Sequence, residues 1–313
     1  MKRISRRSMM QKSGILAAAS ALPYHAFSSN KKAKHNFTFC LNTSTIRGQN
    51  LSIVEEIKIA AEAGYDGVEI WMNRLQDHLK NGGTTKEIYD LSKDLNIKIE
   101  DCISFAEWIV DDPKKREAAY LQTRNEMELL AEVGCKRIAA PPYGATKPPS
   151  INLSEAAKRY RDILNIGQET GVLPQLELWG FSHNLHLFGE VMFIASEAAH
   201  PDACILPDVY HLYKGGSAFE SLRMIDPSAI HMFHINDYPA NPPRDEIGDG
   251  DRVYPGDGVA PLDTILRLLN TKNKPIVLSL ELFNKTYYEK PAIETAKEGL
   301  VKMKRAVEKA LAS

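Results

Sequence analysis

The strongest constraint on this chain is a rhythm. Short apolar runs alternate eight times with helix-patterned segments, and four of the runs lead to a side chain able to ligate a metal. Glu177 lies at the end of the run 172–178, Asp208 closes 203–207, His234 follows 230–233, and Glu281 closes 276–280. Each run passes into polar or glycine-containing sequence and then into a helix pattern. Such an alternation builds a parallel sheet, and a closed parallel barrel gathers its strand C-termini around one mouth. A Glu, an Asp, a His and a second Glu then converge on one point. That donor set suits a divalent ion such as Mn²⁺, Mg²⁺, Co²⁺ or Zn²⁺.

The individual units follow from local signals. Phe37–Asn42 reads as the first strand. Ser52 with Glu55 gives a capping box for a helix through Ala63 that stops at Gly64. Gly67–Trp71 is the second strand, Thr84 opens the next helix, and 97–105 is the third strand. A helix from Pro113 to Val133 precedes strand four at 136–140, and Ser154 is expected to cap the helix that ends near Gly171. Strands five to seven fall at 172–178, 203–208 and 230–236, with a helix at 187–199 between the first two. The longest irregular stretch, 237–259, is rich in Pro, Gly and Asp. A helix at 261–270, strand eight at 276–282 and a closing helix Ala292–Leu311 complete the pattern. The expected fold is therefore an α/β chain forming a single (β/α)8 TIM barrel over 37–312. The 313 residues accommodate one such barrel of about 250 residues.

The first thirty residues differ from the rest. Lys2-Arg3 and Arg6-Arg7 form a basic head, and Ser5-Arg6-Arg7-Ser8-Met9-Met10-Gln11-Lys12 resembles a twin-arginine export signal. A modestly apolar segment follows, with small residues at Ala19, Ala21, Ala26 and Ser28. Residues 1–30 are accordingly set apart as a signal, and the expected destination is the periplasm, or the cytoplasm if the signal does not function. The four cysteines show no zinc-binding or disulfide spacing and read as small buried apolar residues. Charged residues make up 25% of the chain with a formal net charge of -1 and no long single-sign block. Nothing in that balance suggests nucleic-acid binding. No apolar run reaches the roughly 18–20 residues of a membrane span. No GxGxxG follows strand one and no GxSxG elbow appears, so dinucleotide binding and serine-type hydrolysis lack support.

Glu177 and Glu281 each sit between two leucines, where an ionised carboxylate is costly unless something pairs with it. One such Glu is explained by an ion pair; two of them together with Asp208 and His234 are better explained by a shared cation. His211 lies three residues after Asp208 and is read as a substrate contact, a ligand or a ligand's partner, against the alternative of an exposed loop histidine. Arg252 precedes the turn Pro255-Gly256-Asp257-Gly258 and is read as a guanidinium for a substrate oxygen. A salt bridge to Asp251 or Asp257 is the plainer alternative. Glu69 is expected to line the same mouth or to form a structural pair. His183 and Trp108 are weaker pocket candidates, and Trp108 has a packing alternative.

At these residues the chain resembles the xylose isomerase-like TIM barrels, a sugar phosphate isomerase/epimerase group that includes inosose isomerases and ketose 3-epimerases. The resemblance rests on Asp66-Gly67-Val68-Glu69, Leu176-Glu177-Leu178, Asp208 with His211, His234-Ile235-Asn236-Asp237, Arg252 with its PGDG turn, and Leu280-Glu281-Leu282-Phe283. It implies that Glu177, Asp208, His234 and Glu281 bind one divalent metal, Mn²⁺ foremost. It also implies that the two glutamates move a proton and that His211 and Arg252 contact the substrate. Many relatives have Lys at Asn236 and Glu at Asp257, and the epimerases have Glu at His183, so the resemblance reaches the wider family rather than a strict ketose 3-epimerase. The implied activity is a metal-dependent isomerisation or epimerisation of a keto-sugar or keto-polyol through a metal-bound enediolate. A 3-keto-glycoside lyase working by β-elimination is the first alternative and a non-enzymatic sugar-binding protein the second. The expected partner is a small carbohydrate, with no nucleic acid and no membrane span, and a homo-oligomer stays open.

Overall fold

The structure, a computed structural model, describes residues 35–270 and 274–312. The expected export signal at 1–30 lies outside the described residues. Eight parallel strands form the centre: β1 Phe37–Asn42, β2 Gly67–Trp71, β3 Lys98–Ile103, β4 Arg137–Ala140, β5 Leu173–Glu177, β6 Ile205–Leu206, β7 Met232–Ile235 and β8 Ile276–Leu280. They make two arcs, β3-β2-β1-β8-β7 and β4-β5-β6, all paired in parallel. Parallel bridges Ile205↔Ile230 and Asp208↔His234 join the arcs between β6 and β7. At the other junction no ladder runs between β3 and β4; an Arg137–Glu100 ion pair links those two strands instead. Gln175 on β5 also donates to Asp101 on β3 across 3.0 Å inside the ring.

Ten α-helices are present among the described residues: α1 Ile53–Ala63, α2 Met72–Lys80, α3 Thr85–Asp94, α4 Pro113–Glu132, α5 Leu153–Thr170, α6 Phe188–Glu197, α7 Val209–Gly215, α8 Leu262–Leu269, α9 Lys285–Tyr288 and α10 Ala292–Leu311. The capping boxes Ser52/Glu55 and Thr84/Glu87 open α1 and α3. Two local expectations are corrected. The cap of α5 is Asn152, whose side chain accepts from the Glu155 amide at 3.1 Å, rather than Ser154. Strand six is only two residues long, because Pro207 has no amide to extend the ladder and Asp208 turns the chain into α7 as its N-cap. None of the helices is long and apolar enough to cross a membrane, among the described residues. All four cysteines are buried free thiols.

Alternation along the strands sorts side chains into an outer and an inner set. On β8, Ile276, Leu278 and Leu280 belong to the large apolar layer shared with the helices, while Val277 belongs to a separate small cluster inside the ring. That inner cluster is Cys40, Ile103, Ala139, Leu206, Met232 and Val277. Two steps further along β1, β7 and β8 the inner face becomes polar: Asn42 after Cys40, His234 after Met232, and Ser279 and then Glu281 after Val277.

A buried carboxylate on a helix sits outside this inner set. Glu56 on α1 is 0% exposed, with Arg74 as its nearest cation at 3.5 Å. Burial, only partly offset by Arg74, pushes its carboxyl from the usual 4.5 up to about 7. A folded-state value above the unfolded one means its contribution to stability is complete below the unfolded value and is lost as pH rises through the folded one. Urea unfolding of Glu56→Gln against the natural chain should therefore show a relative gain that grows between pH 4.5 and 7 and is flat above. A pH-independent difference would remove this reading of Glu56.

Candidate metal centre and active site

The four strand-end donors meet at the C-terminal mouth, each for a local reason. Glu177 is the last residue of β5, and Glu281 follows β8 on its inner face. Asp208 caps α7 with one oxygen, accepting from the His211 amide at 2.7 Å, and keeps the other for the centre. His234 lies within β7. All four are at most 4% exposed. From His234 Nδ1 the nearest carboxylate oxygens are Glu281 Oε2 at 3.4 Å, Asp208 Oδ2 at 3.8 Å and Glu177 Oε1 at 4.0 Å. Asp208, His234 and Glu281 each offer a ligand atom, and these atoms lie within 4.8 Å of one another. Glu177 stands beside that trio rather than within it.

Two orphaned atoms indicate what belongs there. His234 Nδ1 and Glu177 Oε2 are both buried without a hydrogen-bond partner. An imidazole nitrogen that gives up its proton and a buried carboxylate oxygen are both atoms that a divalent cation would bind. Charge balance points the same way. Glu69, Glu177, Asp208 and Glu281 face one imidazole and the Arg252 guanidinium, and burial pushes the Glu177 and Asp208 carboxyls up from their usual range. Burial acts on Glu281 too, but His234 and Arg252 hold it well below that range. Burial alone would lower the His234 imidazole, yet Glu69 and Glu281 carry it well above its ordinary value. A divalent ion would reverse the rise at Glu177 and Asp208 by stabilising their charged forms.

Three further residues position this set. Glu69 Oε1 is 2.9 Å from His234 Nε2, and its other oxygen accepts from the Ser279 hydroxyl. With Nε2–H donating to Glu69, Nδ1 is aimed at the centre, where a bound metal would take the place of its proton. Asn236 donates to Asp208 Oδ2 at 2.9 Å and accepts from the Tyr210 amide at 3.0 Å. Asn42 donates to Glu281 Oε1 at 3.2 Å.

Arg252 reaches the centre through an ordered loop. Asp237 accepts from the amides of Tyr238, Gly256, Gly258 and Ala260, which winds the stretch after β7 into a fixed turn. Gly258 is required there, since a Cβ would stand 2.2 Å from the Tyr238 carbonyl oxygen. The guanidinium bonds Glu281 Oε2 at 2.8 Å and Asp208 Oδ2 at 3.1 Å, pairs with Asp249, and lies 4.4 Å over the Tyr210 ring. Its partners are thus not Asp251 or Asp257; the latter pairs with Lys302. Its Nη2 is 3.0 Å from His211 Nε2. Burial and the nearby Arg252 charge push the His211 imidazole well below its usual value, so it stays neutral.

A cavity of about 200 Å³ opens above the centre and is lined by Glu177, Glu281, His211 and Arg252 among others. Three of the candidate substrate contacts stand outside the cavity lining, Glu69 and Trp108 in the structural roles given as their alternatives. Glu69 is 0% exposed behind His234 and faces the ring interior, not the cavity. Trp108 is 1% exposed and donates to the Pro141 carbonyl at 2.8 Å while packing on Tyr160, so it is a core residue. His183 lies outside the cavity lining, where it bonds Ser150 at 2.9 Å. The cavity walls not foreseen from the sequence are aromatic: Trp71, Phe105, Trp179, Phe181 and Phe283.

Residues 57–306 match the family described as xylose isomerase-like TIM barrel. The chain belongs to that family. It is similar to an inosose isomerase of Bacillus velezensis, with 26% identity over 264 residues that cover 82% of this chain and 92% of that protein. It is also similar to a 3-dehydroshikimate dehydratase of Pseudomonas putida, with 24% identity, over 80% of this chain but only 39% of that protein. Among solved structures, the IOLI protein with a binding zinc atom superposes with a TM-score of 0.79 and 26% identity, over 87% of this chain and 98% of that one.

The positioning role of Glu69 has a direct consequence. Titration of metal-free protein with Zn²⁺ should show Glu69→Gln binding roughly 10- to 100-fold more weakly than the natural chain, with unchanged circular dichroism. Equal affinity would mean that the Glu69–His234 bond does not orient the imidazole for a metal.

Proposed function

We propose that this protein is a divalent-metal-dependent isomerase or epimerase acting on a keto-sugar or keto-polyol. The observation that carries the reading is the pair Glu177 and Glu281 at one buried centre with His234 and Asp208, opening into a cavity that His211 and Arg252 also line. Its similarity to inosose isomerases supports the reaction class. Glu177, Asp208, His234 and Glu281 are the residues that would hold the metal. The IOLI neighbour supports zinc and the oxygen-rich donor set supports manganese. When bound, the metal supplies a Lewis acid that polarises a carbonyl and acidifies the adjacent C–H.

The two glutamates are not equivalent. A base must offer the substrate an oxygen. Glu177 makes no hydrogen bond with Oε2, so it can ligate through one oxygen and offer the other to the substrate, whereas Glu281 gives one oxygen to Asn42 and the other to Arg252. Glu177 therefore takes the proton from the carbon beside the carbonyl, and Glu281 stays fixed as the counter-charge to Arg252. Arg252, held beside the neutral His211, would face the oxygen on which negative charge develops. Return of the proton to the opposite face gives an epimer, and return to the neighbouring carbon gives an isomer. Expulsion of a β-substituent gives elimination, a reading that the dehydratase relative supports for the same centre.

Metal-loaded protein incubated in D₂O with inososes and keto-sugars and followed by NMR should place deuterium on the carbon beside the carbonyl. Glu177→Gln, assayed at a metal concentration that saturates the variant, should slow that exchange by about 10²-fold or more. Exchange unaffected by Glu177→Gln would remove Glu177 as the base, and tight sugar binding without any exchange would favour a sugar-binding protein. Export is proposed from the sequence at 5–12 alone. Cell fractionation of Arg6→Lys/Arg7→Lys should then move the protein from the periplasm to the cytoplasm, and an unchanged distribution would contradict it.

A further inference from the structure

The metal centre is wrapped by a continuous arc of rings. Phe283 and Trp71 lie 6.1 Å apart, Trp71 and Phe105 5.6 Å, Phe105 and Trp179 6.1 Å, and Trp179 and Phe181 5.2 Å between centroids. All five line the cavity, and Phe181 at its outer end is 47% exposed. Tyr143 continues the arc outward from Phe105 at 5.4 Å and is 42% exposed. Large aromatic faces left open at the rim of a site are unfavourable in water unless something covers them.

Polar capacity is distributed differently. The polar groups lining the cavity are Glu177, His211, Asp249, Arg252 and Glu281, and most are already bonded to one another. The indole N–H of Trp71 is also taken, donating to Asn42 Oδ1 at 2.9 Å. A free polyol carries hydroxyls all round its ring. In this cavity those turned away from the centre would meet ring faces, losing water without gaining a partner. A substrate with its carbonyl and neighbouring hydroxyl at the centre and a flat apolar face beyond them meets both halves of the cavity.

We propose that the substrate is a keto-sugar bearing a flat apolar group, which stacks on the wall formed by Phe105, Trp179 and Phe181. An aryl substituent and the C–H face of a second sugar ring share this stacking chemistry. The keto-sugar half of the proposal rests on the function proposed above; the stacking half rests on the aromatic arc alone.

Unoxidised glycosides lack the carbonyl, so they read binding without reaction. Calorimetric titration of the Zn²⁺-loaded full chain with phenyl, methyl and cellobiose-type β-glucosides tests the wall. The phenyl glucoside or cellobiose should bind about tenfold more tightly than methyl glucoside. Preference for phenyl identifies the aryl source, and preference for cellobiose identifies the second ring. In Phe181→Ala the ratio should fall toward one, and in Phe181→Tyr, which keeps the ring, it should be retained. Equal or absent binding of all three, or a ratio indifferent to Phe181→Ala, would overturn the proposal. Selective binding together with failed deuterium exchange would remove the isomerase reading and leave the stacking wall standing. Exchange with free inososes and no selectivity would do the reverse.

Discussion

Taking a carboxylate out of water is costly, and this fold does so four times within one small volume. Glu69, Glu177, Asp208 and Glu281 are all nearly inaccessible at the mouth of the ring, with Arg252 and His234 as the cationic or cation-accepting groups among them. Such a cluster is tolerable only when its charge is matched, because an unpaired buried charge costs several kcal/mol. Much of the surrounding structure serves that matching. Ser279, Asn42 and Asn236 are committed to the outward-facing or flanking oxygens of these carboxylates. The Asp237-wound loop exists in its present form to deliver one guanidinium. Within this cluster His234 Nδ1, Glu177 Oε2 and the donor Arg252 Nε stay unmatched, and the first two are atoms that a cation could bind.

The layering of the ring follows from two-residue alternation. The apolar plug of Cys40, Met232 and Val277 gives way to Asn42, His234 and Ser279, and then to Glu281 on β8. One more inward step on several strands brings an aromatic ring: Trp71 two residues after Glu69, Phe105 two after Ile103, Trp179 two after Glu177, and Phe283 two after Glu281. The ring is thus dry at its base, ionic in the middle and aromatic at the rim. A Lewis-acid site benefits from that order, since the walls exclude water and leave the charges unscreened.

The barrel was legible because its signals are local and repeated: capping boxes, glycine stops and apolar runs recur with each unit. The strand-end acids were legible for a similar reason, since a Glu between two leucines has no cheap resting place. Glu69 shares that signature, however, and only its height in the ring separates a residue that backs His234 from one that meets a substrate. Height depends on register, and β2 carries a register shift between Val68 and Glu69 that no sequence pattern announces. The helix α2 begins directly after Trp71 with no capping side chain, so it lacked a start signal. Trp108 and His183 sit near strand ends in sequence but are turned away by the loops that carry them. The aromatic rim had a readable signal in the period-two offsets from the acids.

The central claim is that a divalent cation completes this carboxylate cluster, and elemental analysis combined with thermal unfolding tests it most directly. The purified protein should carry about one divalent metal per chain. Chelation should lower the unfolding temperature, and added Mn²⁺ or Zn²⁺ should restore it in a concentration-dependent way, as ligand binding to the native state requires. Substitution of His234 by Ala should abolish that response. A protein that carries no metal, and whose unfolding is indifferent to chelator and to both ions, would contradict the account at its root.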